Sequence, residues 1–216
     1  MKMTMNERKT IDFSTYEIHR AAHLLNLERQ QIKRDRKAQR EVDLAARQKS
    51  LPGKRYGVIL ADPERRFKSH SREAGMYFSE LENIKSCNIA SVAAPDCVLF
   101  LWATVPMLPQ ALSVMEAWEF VYKSHFVWAK DVISTGYWNR NKHELLLIGT
   151  KGKIPSPVSG EQFASVIQSP VTKHHEKPPE FYGIIETYFP NLPKIELNAR
   201  KKRENWDNWY LDFTII

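Results

Sequence analysis

The chain has 216 residues, a formal net charge of +7, and 43% hydrophobic and 11% aromatic side chains, the make-up of one folded domain with an appendage. That composition excludes a disordered or collagen-like chain. No apolar run nears the roughly 20 residues of a membrane span, the polar start over residues 1–8 lacks a secretory core, and Cys87 and Cys97 alone make neither a disulfide framework nor a zinc site. A soluble, cytoplasmic protein with no membrane partner is expected.

The charge is unevenly spread. Residues 1–55 carry 14 Lys/Arg against 7 Asp/Glu, whereas residues 56–216 carry 18 of each. The basic surplus therefore belongs to the N-terminal quarter, and it invites a polyanionic partner. Residues 12–50 hold no Gly or Pro and are rich in helix formers, so they predict helix, with Asp12 or Ser14 as a cap. From Glu28 to Lys49 the apolar set is thin, chiefly Ile32, Val42, Leu44 and Ala45. Two readings follow: a solvated helix lying across its own domain, or a basic arm that contacts phosphates or a partner protein. Leu51-Pro52-Gly53 ends the helix. The expected division is a basic helical extension over residues 1–52 and a second domain over residues 53–216.

Beyond that break the pattern changes. Short apolar runs at residues 56–61, 97–102, 125–128, 144–148 and 194–197 predict buried strands. Helical stretches at 81–89, 107–118 and 179–188 lie between them. This alternation predicts an α/β fold, a mainly parallel sheet with helices on both faces, whose ligands bind at the carboxyl edge of the strands. Asp62 stands at such an edge.

Five motifs carry candidate chemistry. Asp62-Pro63 follows a strand directly, and proline there turns the chain away sharply; a plain turn-forming Asp-Pro is the bland alternative. Trp102-Ala103-Thr104 ends another strand in an aromatic and a hydroxyl. The stretch Tyr122–Lys130, with Lys123, His125 and Lys130, leads to Gly136-Tyr137-Trp138. Aromatic faces interleaved with cations suit a nucleobase and its backbone, although aromatics also build cores. In His174-His175-Glu176-Lys177-Pro178-Pro179, the prolines open a helix and set Lys177 beside its N-terminus, a place to hold a carboxylate. Adjacent histidines diverge, so no metal site is expected there. Finally, Lys194–Arg200 runs into Lys201-Lys202-Arg203, then Trp206 and Trp209. No Walker loop or Gly-rich dinucleotide fingerprint is present.

Taken in order, these blocks resemble the seventy-kilodalton-subunit mRNA adenosine methyltransferase family, especially its bacterial and phage members. The resemblance covers roughly residues 55–209 and rests on Asp62-Pro63, the run from Leu99 to Pro106, Tyr122–His125 with Trp128 and Lys130, Gly136–Trp138, His143–Gly149, Lys177-Pro178, and Lys194–Leu197 with Arg200. It implies a Rossmann-like methyltransferase sheet and methyl transfer from S-adenosylmethionine to the N6 amine of adenine, on DNA in most bacterial relatives. The family's permuted motif order agrees with the missing Gly-rich loop. The resemblance places the catalytic motif at Asp62, Pro63, Glu64 and Arg65, and cofactor contacts at Asp62, Lys177, Glu196 and Arg200. Nucleic-acid contacts fall to Lys123, His125, Lys130, Tyr137, Trp138, Lys201, Lys202 and Arg203. The family's heterodimers imply a second methyltransferase-like subunit, or a second copy of the chain, as a partner.

The chain departs from the family pattern at several places. Arg65 replaces the aromatic that usually follows the catalytic prolines, although an Arg plane also stacks on a base. Gly75–Phe78 runs almost directly into a helix where the family has a longer loop. Tyr210-Leu211 replaces a Gly-Asn pair, and Asn198 stands where an aromatic is usual. These departures support a second reading: a weakened or inactive methyltransferase fold acting as a nucleic-acid-binding or regulatory partner subunit.

Overall fold

A computed structural model describes residues 13–49, 53–63, 81–134, 136, 138–172, 176–199 and 201–209. The helices are α1 (Phe13–Lys49), α2 (described over residues 81–85), α3 (Leu108–Ala117) and α4 (Pro179–Tyr188). The strands are β1 (Tyr56–Ala61), β2 (Ala93–Thr104), β3 (Val121–Ala129), β4 (His143–Lys151), β5 (Val166–Gln168), β6 (Lys194–Leu197) and β7 (Trp206–Trp209). They form one seven-stranded sheet in the order β5-β3-β4-β2-β1-β6-β7.

The expected α/β architecture is present. Four of the six strand pairings are parallel, while β4 runs antiparallel to both β2 and β3. The central position of β1 explains its composition. All six residues of Tyr-Gly-Val-Ile-Leu-Ala are buried, because a strand covered on both faces has no polar side to show. Side chains alternate between the faces. Ile59, Leu99, Leu101 and Leu147 join the core under α3, and Val58, Leu60, Phe100, Trp102 and Leu146 join the core under α4.

The two short helices α3 and α4 bury the stripes their sequences offer. In α4, Phe181, Tyr182, Ile184, Ile185 and Tyr188 are buried, a spacing that follows one face of a 3.6-residue turn. In α3 the same logic buries Ala111, Val114 and Met115. The buried Trp118 indole donates to the Ile84 carbonyl at 2.9 Å and ties the end of α3 to α2.

Compact packing divides the chain between Gln39 and Arg40. Leu51 and Pro52 of the sequence break lie outside the described residues, and the last described turns of α1, before Lys49, pack with the sheet. Leu44 and Ala45 enter the core under α4. Buried Glu41 accepts the Asn191 backbone N–H at 2.9 Å, and Gln48 donates to the Asp96 carbonyl at 2.8 Å. Gly57 permits that approach, since a Cβ there would lie 2.4 Å from the Gln48 side-chain oxygen. The earlier part of α1 is a separate unit. No helix among the described residues is long and apolar enough to cross a membrane.

Candidate active site

Strand alternation and register decide which side chains meet. Val58 and Leu60 face α4, so Asp62, two residues further, emerges on the same side at the carboxyl end of β1. Leu146 also faces α4, which sets Glu144 on that side at the start of β4. Glu144 is paired across the sheet with Thr104 at the end of β2 and with Trp128 near the end of β3. The ends of three neighbouring strands therefore deliver Trp102, Trp128 and Glu144 to one face.

Two lysines complete the arrangement. Pro178 and Pro179 start α4 and leave Lys177 immediately before it. The Lys177 ammonium donates to Glu144 Oε2 at 2.6 Å and stands 3.6 Å from Asp62 Oδ1. It also lies 4.7 Å over the Trp102 ring. Lys130, just past β3, donates to the other Glu144 oxygen and lies 4.6 Å over the Trp128 ring. The two indoles pack edge to face at 6.2 Å. The result is a carboxylate clamped between two ammonium groups on a floor of two tryptophans, the cation–π geometry that indole favours.

Burial alone would push the Glu144 carboxyl up, but Lys177 and Lys130 outweigh it and hold the group below its ordinary range. Asp62 differs. Its Oδ1 is buried and has no hydrogen-bond partner among the described residues, with the Lys177 ammonium just beyond hydrogen-bond reach. A buried acceptor without a donor is costly, and it calls for a specific explanation, such as a ligand or an ordered water that supplies the donor.

Asp62 opens onto a cavity of about 780 Å³ shared with Lys177, Glu196, Lys201, Lys202 and Arg203. Glu196 projects from β6 and accepts a 2.9 Å hydrogen bond from the Tyr182 hydroxyl. Burial and the adjacent Glu196 both raise the Tyr182 phenol's pKa, so it stays a donor. The Arg203 guanidinium covers the Tyr182 ring at 3.7 Å, and Lys201 pairs with Glu176. After β6 the chain turns through Asn198 at φ 60°. Asn tolerates that left-handed conformation better than most residues, and its N–H donates to the Trp209 carbonyl at 2.8 Å.

A family model described as MT-A70 matches residues 56–211. The chain belongs to the MT-A70 family. Among its relatives, the Type II methyltransferase M.MunI of a Mycoplasma species is 33% identical over 185 residues, covering 75% of this chain and 79% of that protein. The N(6)-adenosine-methyltransferase MT-A70-like protein of Arabidopsis thaliana is 28% identical over 153 residues, 67% of this chain and 22% of that protein. The human N(6)-adenosine-methyltransferase catalytic subunit METTL3 is 29% identical over 167 residues, 73% and 28% respectively. The chain thus spans most of M.MunI but only about a quarter of the plant and human proteins. The MT-A70 match begins at β1, and α1 lies before it.

The structure gathers some of the residues singled out from sequence and separates others. Asp62, Lys177, Glu196, Lys201, Lys202 and Arg203 share one cavity, and Lys130 joins them through Glu144. Lys123 and His125 line a different cleft, of about 400 Å³, with Phe126, Phe163 and Tyr188. His125 is level with Ala61 in register but three strands away, about 14 Å at sheet spacing. Its ring bonds the Tyr122 hydroxyl at 2.6 Å. Trp138 is fully exposed between β3 and β4. Glu64, Arg65, Tyr137 and Arg200 lie outside the described residues, as do His174, His175, Gly75–Phe78 and Tyr210-Leu211.

Glu144 is a candidate site residue that the five motifs do not single out, since it reads as part of a strand. A signal is available: a carboxylate opening the run Leu-Leu-Leu-Ile must be buried, and buried carboxylates are paired. Tyr182 gives a similar signal, a phenol on the apolar face of a helix that needs a partner.

Proposed function

We infer that the chain is an S-adenosylmethionine-dependent methyltransferase acting on the N6 amine of adenine in nucleic acid. DNA is the substrate implied by its resemblance to bacterial and phage relatives. The observation that carries the reading is Asp62: a buried carboxylate oxygen without a donor, at the carboxyl edge of the central strand, in a cavity of about 780 Å³. That volume is within the range of about 300–1,000 Å³ usual for small-molecule sites.

The residues present fit the cofactor. Lys177 offers a cation for an amino-acid carboxylate, Glu196 offers an acceptor for ribose hydroxyls, and Tyr182 with Arg203 walls the cavity between them. S-adenosylmethionine supplies an electrophilic methyl group. An exocyclic amine is a poor nucleophile because its lone pair is delocalised into the ring. The Asp62 carboxylate and the Pro63 carbonyl accept its two N–H bonds, which favours a tetrahedral nitrogen and a directed lone pair. Lys177 sets a compensating positive charge beside Asp62, and Glu144 keeps it there without occupying Asp62 Oδ1. The target base must leave its stack to reach this edge.

Transfer of a labelled methyl group to an adenine-containing duplex tests the reading, with calorimetric titration of S-adenosylmethionine alongside. Label in N6-methyladenine, lost in Asp62→Ala, is the expected result. Cofactor binding without transfer leaves the non-catalytic partner role, and no cofactor binding at all overturns the assignment of the cavity.

A further inference from the structure

We propose that α1 is a second nucleic-acid contact, which grips the phosphate backbone of a duplex through a stripe of four cations, Arg29, Lys33, Arg36 and Lys37. At about 100° per residue these positions fall within one sector of about 100° on the helix surface, and along the axis they span about 12 Å. Arg29, Lys33 and Arg36 are exposed and Lys37 is half-buried. A duplex carries one phosphate charge per about 1.7 Å of its axis with both strands counted, so a length matching the stripe holds about seven phosphates, and the stripe meets those on the side it lies against.

The acids are arranged as such a stripe requires. A helix that is merely solvated places carboxylates three or four residues from its cations, where they form ion pairs. Glu28 and Asp35, the acids flanking the stripe, stand three or four residues from none of its four cations. They project from the far side of the helix, where Asp35 accepts a 2.9 Å hydrogen bond from Gln31. Glu41, four beyond Lys37, is buried and turned to the Asn191 N–H. Glu28 and Asp35 are thus off the face that Arg29, Lys33 and Arg36 present.

The pattern also separates nucleic acid from a lipid surface. A membrane-binding helix sets a large apolar face beside its cations. Here the exposed apolar residues Ile18, Leu24, Leu25 and Leu27 precede the stripe, and Ile32 alone lies within its length, to one side of the cationic sector. Residues 33–40 contain no large apolar side chain. The contact is electrostatic, and its specificity is for charge rather than for sequence.

The test uses the full chain and a labelled duplex built only of G·C pairs, which offers no adenine to a methyltransferase site. A variant with all four cations changed to Gln is compared with wild type over a salt series, with helix content checked by circular dichroism. Each lost phosphate contact removes about 0.9 from the slope of log affinity against log salt. A fall of about three to four in slope, with at least a hundredfold weaker binding at 0.1 M salt, is the expected result. A companion variant with Glu17, Glu28 and Asp35 changed to Gln keeps the affinity or raises it. An unchanged slope in the four-cation variant, or wild-type binding to anionic lipid vesicles or an acidic protein but not to the duplex, overturns the proposal. Failure of methyl transfer with intact G·C binding leaves it standing, so the two readings fail independently.

Discussion

The cations of the sheet edge and those of α1 are the same residue types put to opposite uses. Lys177 and Lys130 are shielded, their side chains only 6% and 17% exposed; each stands over an indole and donates to Glu144. Arg29, Lys33 and Arg36 stand in solvent on a single helix. A buried cation is worth having only where partners fix it, because desolvation costs more than a loose pair returns. What it gives is position, to a fraction of an ångström. A solvated cation gives little position but acts over about a Debye length, roughly 8–10 Å at physiological salt. The same charge serves chemistry in one place and capture in the other.

Lys177→Met breaks this comparison most sharply. It removes the cation beside Asp62 and leaves that carboxylate buried and uncompensated, which costs about 3–5 kcal/mol when a buried pair loses one member. Expected outcomes are a loss of methyl transfer of at least about a hundredfold and a lower denaturant midpoint, read by label incorporation and urea unfolding. A stripe cation such as Arg36→Met, exposed on α1, leaves the denaturant midpoint unchanged and acts on transfer only through a higher KM for the duplex, with kcat intact. Retained activity in Lys177→Met would remove the lysine from the proposed site.

Glu144→Gln comes next and tests the clamp through pH. The folded-state carboxyl is held below its ordinary value of 4.5 by the two lysines, which outweigh its burial. Its contribution to stability is therefore fully present above about pH 4.5 and is lost as pH falls through the lower folded value. The gap in unfolding midpoint between wild type and Glu144→Gln is expected to be widest at neutral pH and to close in acid. A gap independent of pH would mean that Glu144 acts by shape rather than by charge.

Parts of this arrangement are legible in the amino-acid sequence alone. Continuous apolar runs mark Tyr56–Ala61, and the stripe of α4 marks Pro179–Tyr188, because burial leaves a periodic trace in sequence. The short strands Val166–Gln168 and Trp206–Trp209 leave none, since three or four residues of mixed polarity have no period. Pro95 and Asp96 likewise hide the first part of β2. At the site, strand-then-Asp-Pro points to Asp62. Glu144 depends on strand register, which aligns it with Thr104 and Trp128 from stretches some 40 and 16 residues earlier. No local pattern encodes that. Lys130 is legible as a cation among aromatics but not as the second jaw on Glu144.

Lys130 gives the smallest expected effect and the finest test of the comparison, because it lies between the two kinds of cation. It is part-shielded at 17% exposure and does not touch Asp62 in the described contacts; it acts through Glu144. Lys130→Met leaves Lys177 paired with Glu144, so fold and cofactor affinity are expected to hold. Glu144, freed on one oxygen, then loses its fixed orientation, and Lys177 gains room to close the 3.6 Å separation from Asp62. A lysine that closes on Asp62 competes with the amine for the same oxygen. The expected signature is a several-fold fall in kcat with KM for S-adenosylmethionine nearly unchanged, restored in part by Lys130→Arg. A shift in KM for the duplex with kcat intact would instead assign Lys130 to the capturing cations, alongside those of α1.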